Sequence, residues 1–112
     1  MSGFTLDQQR VTLHVDSGVC RFKAKIECWM EEDKLRCSIS SGCTHVQDFA
    51  EAMRPMELMD MIRMPYSENQ VYAIGGRTLK HSTCPLPMAV LKGMEVAAGL
   101  ALKRDVIVSF DK

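Results

Sequence analysis

The chain has 112 residues, enough for one domain with its own core (residues 1–112), and its 46% hydrophobic and 25% charged content is that of a globular protein. Lysine plus arginine equals aspartate plus glutamate, 14 against 14, which argues against nucleic acid as a partner and gives no footing on an anionic membrane. No apolar run reaches the length of a membrane span, and the N-terminus MSGFTLDQQR lacks a signal-peptide core, so the expected compartment is the cytoplasm, where thiols stay reduced.

The first third of the chain has the two-residue period of strands. In Arg10 to Asp16, Val11, Leu13 and Val15 alternate with Thr12, His14 and Asp16, and Asp16-Ser17-Gly18 supplies turn residues. From Cys20 to Cys28, the residues Cys20, Phe22, Ala24, Ile26 and Cys28 face one way, with charged residues between them. A third run, Lys34 to Ser40, puts Leu35, Cys37 and Ile39 inside. The short charged turn Glu31-Glu32-Asp33-Lys34 joins the last two runs, which predicts a three-stranded antiparallel meander with one wet and one buried face. A turn centred on Glu32 and Asp33 sets Cys28 opposite Cys37 on the buried face.

The period then becomes helical. Thr44-His45-Val46-Gln47 has the spacing of a capping box, followed by Val46, Phe49, Ala50 and Met53 on one face. Pro55 suits the first turn of a second helix carrying Met56, Leu58, Met59 and Ile62, which Pro65 ends. Between Ser67 and Lys80, Val71, Ile74 and Leu79 lie on one helical side, although Gly75-Gly76 weakens that helix by ~1 kcal/mol per glycine relative to alanine. Pro85 to Leu102 reads as an apolar helix, and Asp105 to Phe110 alternates as a final strand. The expected class is α+β, with the helices on one face of a sheet that the final strand joins as its fourth member.

Five cysteines are many for a chain of this length, and an odd number in a reducing compartment speaks for thiol or metal chemistry at some of them. The nine methionines fill gaps in a helix-packed core. Cys28 and Cys37 read as small core residues, since free cysteine is among the most buried residue types. Cys20 and Cys43 each follow a turn, at the same end of the sheet, and His45 lies two residues beyond Cys43. Cys84 is the sharpest case. In KHSTCPLPMAV it stands directly before Pro85, with His81 three residues upstream, where a helix begins. A thiol at a helix N-terminus feels the positive end of the dipole and unpaired N–H groups, which favour thiolate. Cys20, Cys43, Cys84 and His81 (or His45 in its place) form a candidate ligand set for a zinc ion or an Fe–S cluster. No C-x-x-C occurs, which excludes a zinc ribbon, and His14 reads as a surface histidine. Phosphate loops, hydrolase elbows and carboxylate pairs are missing as well, so no sequence pattern commits the chain to an enzyme class.

The segments SGVCRFKAKIE, SSGCTHV and His81 to Val108 resemble a small uncharacterised family, a domain of unknown function found in anaerobic bacteria and archaea, and the resemblance implies no activity. The C-P-x-P at a helix start resembles the TusA-like sulfur carriers, whose motif cysteine accepts persulfide sulfur. That resemblance implies the same role for Cys84 alone, and it is local, because here some 80 residues precede the motif. Three functions follow as expectations. The first is a cysteine-based metal or Fe–S site. The second is a thiol or persulfide carrier, or a redox protein, using Cys84. The third is a non-catalytic module with structural cysteines that binds a protein partner or a second copy of itself.

Overall fold

The computed structural model describes residues 9–112. Three strands form an open antiparallel sheet in the order β1-β2-β3: β1 is Val11–Asp16, β2 is Lys23–Glu31 and β3 is Lys34–Ser41. Four helices follow, α1 at Thr44–Ala52, α2 at Leu58–Met61, α3 at Gln70–Thr78 and α4 at Leu86–Ala97, so the chain is α+β. Glu32 and Asp33 both adopt positive φ, 55° and 63°, which gives the two-residue turn whose twist matches that of the strands. That turn fixes the register at Glu31 opposite Lys34 and carries it through Cys28 opposite Cys37, as the sequence predicts.

Leu35 donates its N–H to Met56 O and accepts from Met56 N, at 2.8 and 2.9 Å, so it has no backbone groups left for Met30 across the hairpin. Antiparallel pairs alternate, and Cys28–Cys37, two positions on, is therefore also a pair without ladder bonds, the close kind with Cα atoms about 4.5 Å apart. The same alternation turns the backbone of Cys28, Ile26 and Ala24 toward β1. Val11, Leu13 and Val15 receive those bonds, and the N–H and C=O groups of Thr12, His14 and Asp16 point out from the edge of the sheet.

The helices cover one face. Val11, Ala24, Ile26, Cys28 and Leu35 point down onto Phe49 of α1, Val71 of α3 and Leu86, Val90 and Met94 of α4, all buried. α4 lies so close to the sheet that a Cβ on Gly93 would stand 2.6 Å from Leu13 Cδ1 and 2.8 Å from Cys28 Sγ. The other face is wet, with the Arg10 guanidinium 4.0 Å above the Trp29 ring and 3.5 Å from Glu27.

Several boundaries differ from the sequence reading. Strand β2 starts at Lys23, because Gly18–Cys20 forms a 3-10 turn and Arg21 takes positive φ; Cys20 and Phe22 are exposed instead of facing the core. The Thr44 capping box does not form. Cys43 is the N-cap, its N–H donates to Ser41 Oγ at 3.2 Å, and Gln47 Nε2 donates to the Ser41 carbonyl at 2.8 Å. No helix starts at Pro55. Residue 56 is spent on the bridge to Leu35, and α2 has only four residues. Helix α4 stops short of Leu102, where Gly99 at φ 82° allows the Gly99 N–H to reach Val96 O (3.0 Å) and the Leu100 N–H to reach Glu95 O (2.9 Å). Asp105 to Phe110 takes no part in the sheet, which has three strands and not four, and Val106, Ile107, Val108 and Phe110 are exposed.

Candidate functional site

His81-Ser82-Thr83-Cys84 is a turn closed by the Cys84 N–H donating to the His81 carbonyl at 3.1 Å, which brings the two ends within about 7 Å at Cα. The H-x-x-C spacing thus places His81 and Cys84 at the two ends of one turn. Pro85, at φ −77°, is the N-cap of α4, and the Ala89 N–H returns to its carbonyl at 3.0 Å. Cys84 therefore stands one residue before the cap, partly exposed, while Leu86 and Pro87 directly after it are buried. Pro85 and Pro87 carry no N–H, so among the first residues of α4 only Leu86 and Met88 present free donors toward the thiol side.

The other wall belongs to α3. Tyr72, Gly75, Gly76 and Leu79 fall on one helical face, and with Lys80, His81, Ser82, Cys84 and Pro87 they line a cleft of about 320 Å³. The two glycines open it. At Gly75 a Cβ would meet Pro87 Cγ at 2.9 Å, so glycine lets α3 cross the start of α4, and Gly76 has open space beside it. Asn69 fixes where α3 begins: its Oδ1 accepts from Val71 N at 2.9 Å while Nδ2 donates to Met61 O (3.0 Å) and Arg63 O (3.2 Å), leaving this buried amide satisfied. Tyr72 stacks at 5.0 Å on Tyr66, and burial and that neighbour raise its hydroxyl above the ordinary tyrosine value. Lys80 and His81 are basic, so an anion in the cleft meets donors and positive charge.

The remaining cysteines are placed differently. Burial pushes Cys28 up to about 12, with the Cys37 thiol adding to the rise, and pushes Cys37 up to about 11, so both remain neutral thiols. Cys28 Sγ lies 3.9 Å from Val90 O inside the core. Cys20 is exposed on its 3-10 turn and Cys43, like Cys84, is partly buried against the core, at the start of α1; neither Cys20 nor Cys43 lines the Cys84 cleft. His45 is partly buried in the first turn of α1. Among the described residues, no three His, Cys, Asp or Glu side chains come together in a way that could hold one metal ion. The structure thus joins His81 to Cys84 and does not gather Cys20 and Cys43 with them.

A second, shallower depression of about 430 Å³ lies at the end of the sheet, lined by His14, Asp16, Lys23, Lys25, Ser40 and Ser41. It holds no cysteine, and its acid stands among bases. Tyr72 and Lys80 are the site residues that sequence reasoning missed. The signal for Tyr72 was its i, i+3, i+4, i+7 spacing with Gly75, Gly76 and Leu79, which marks one face of a helix. Among the described residues, no helix is long and apolar enough to cross a membrane.

A protein-family profile, described as a family of unknown function (DUF6951), matches residues 11–110. No curated protein and no solved structure matches the chain. With nearly the whole chain covered, the protein belongs to that family.

Proposed function

We propose that this member of the DUF6951 family acts through the thiol of Cys84, as a carrier that accepts sulfur in the cleft between α3 and α4. One observation carries the reading: Cys84 is the cysteine that combines partial exposure, a neighbouring histidine fixed by a turn, and a cleft with basic lining. The metal reading needs Cys20, Cys43 and Cys84 to converge, and the described residues give it no such group. The local likeness of CPLP to the sulfur carriers' motif supports the same role for Cys84, which is partly exposed at a helix start.

In the loading step, the Cys84 thiolate attacks the outer sulfur of a donor persulfide. A new S–S bond forms at Sγ as the donor's S–S bond breaks, and the donor leaves as a thiolate. Two electrons move within the sulfurs, and no outside oxidant enters. His81 and Lys80, which line the same cleft, supply basic groups near the anionic persulfide product. The test is incubation with a low-molecular-weight persulfide donor, followed by mass spectrometry of each cysteine peptide. The expected result is one added sulfur atom on the Cys84 peptide, lost in Cys84→Ser. Equal labelling of the exposed Cys20 would contradict the proposal.

A further inference from the structure

The tail after α4 is a strand without a sheet. In Asp105 to Phe110, Val106, Val108 and Phe110 alternate with Ile107 and Ser109, a run of β-branched and aromatic residues. Yet Ile107 is 80% exposed, Val108 86% and Phe110 83%, and no strand is assigned there. A run of large apolar side chains held in water is costly, at roughly 25 cal/mol per Å² of apolar surface left unburied. The family match extends to residue 110 and so takes in the run.

The sheet has a matching vacancy. On β1 the backbone groups of Thr12, His14 and Asp16 face outward, and none of their N–H or C=O groups has a backbone partner among the described residues. This edge is six residues long, as is the run Asp105–Phe110. Its core-side residues Leu13 and Val15 are only partly buried. A strand added there carries Val106, Val108 and Phe110 onto the core side, in line with Val11, Leu13 and Val15, and leaves Ile107 and Ser109 on the wet face.

We propose that the protein forms a dimer by exchange, in which the Asp105–Phe110 strand of each copy adds to the β1 edge of the other. The size of the interface selects this occupant. A tail laid one way onto a foreign edge pairs six residues a side, well short of the roughly 20–30 a side typical of a stable interface. Reciprocal exchange uses both the tail and the edge of each copy, doubles the paired residues to twelve a side and comes closer to that number. Both halves are carried by one sequence, which is what a two-fold assembly needs. The inference is independent of the role of Cys84.

Sedimentation equilibrium at micromolar concentrations tests it. The expected mass for the full chain is twice 12.6 kDa. Val108→Asp removes the tail's central apolar contact, and His14→Pro blocks the edge without breaking a β1–β2 bond, because that N–H points outward. Each variant is expected at the single-chain mass with an unchanged circular dichroism spectrum. Amide exchange gives a readout that needs no variant: in the wild-type protein the amides of residues 106–110 are protected, and protection falls on dilution. A wild-type protein of single-chain mass, a dimer that survives both substitutions, or tail amides exchanging at unstructured rates would each overturn the proposal.

Discussion

Burial sets the chemistry of Cys28 and Cys37, and Cys84 stands apart from them, partly exposed before the cap of α4. The two core thiols, pushed up to about 12 and about 11 from an ordinary 9.0, hold their protons more tightly when folded than when unfolded. The stability they contribute is whole below pH 9 and is lost as the pH climbs from there through 11 and 12, because only the unfolded chain can then ionise. Tyr72 shifts in the same direction and adds to the fall. Urea denaturation between neutral pH and pH 11 is expected to show declining stability, with a shallower decline in the Cys28→Val/Cys37→Val double variant. Asn69 offers a second test at this scale. Asn69→Ala removes an N-cap and strands the carbonyls of Met61 and Arg63, so a loss of about 2–3 kcal/mol is expected by denaturant titration. Asn69→Asp keeps the acceptor but sets a buried carboxylate oxygen against the Met61 and Arg63 carbonyls, and is expected to lose at least as much. The pairing of Cys28 with Cys37 was legible in the sequence because a two-residue turn at Glu32-Asp33 fixes every pair above it. The exposure of Cys20 was not, since strand alternation extrapolates smoothly through a residue that in fact sits in a 3-10 turn.

Elements whose limits depend on local chemistry match the sequence closely, and those that depend on distant partners do not. The hairpin and α3 follow from turn residues and apolar spacing. Helix α2 is shorter than its pattern because Met56 is drawn onto the edge of β3, a contact between positions 21 residues apart that no local signal announces. The two glycines of α3 look alike in sequence and differ in the fold. Gly75→Ala drives a methyl into the rigid ring of Pro87, with an expected cost of about 1–3 kcal/mol and a distorted cleft. Gly76→Ala meets nothing within 4 Å and is expected to stabilise the protein by about 0.5–1 kcal/mol through helix propensity. Thermal or denaturant unfolding of the two variants separates these signs. The tail is the reverse case, in which the strand pattern was legible and no partner strand is found for it among the described residues.

Across the whole molecule, one face of a small sheet is buried under α1 and α4, α3 packs against both of those helices, and the start of α4 is where that packing leaves a gap. The His81–Cys84 turn stands at the gap, lined by the glycine face of α3, and this is how an ordinary core gives rise to a cleft with a thiol in it. The sequence marked Cys84 and His81 through their spacing before Pro85. It also grouped Cys20 and Cys43 with them by their common place at turns, but nothing in spacing measures how far apart three turns lie in space. The protein supplies its own standard for reactivity: Cys20 is an exposed thiol on a turn, and Cys28 and Cys37 are buried ones. The most direct test of the central claim is the rate of alkylation by iodoacetamide at neutral pH, resolved for each cysteine by mass spectrometry. Cys84 is expected to react several-fold faster than Cys20, with Cys28 and Cys37 slower than either; a Cys84 that reacts no faster than Cys20 contradicts the account.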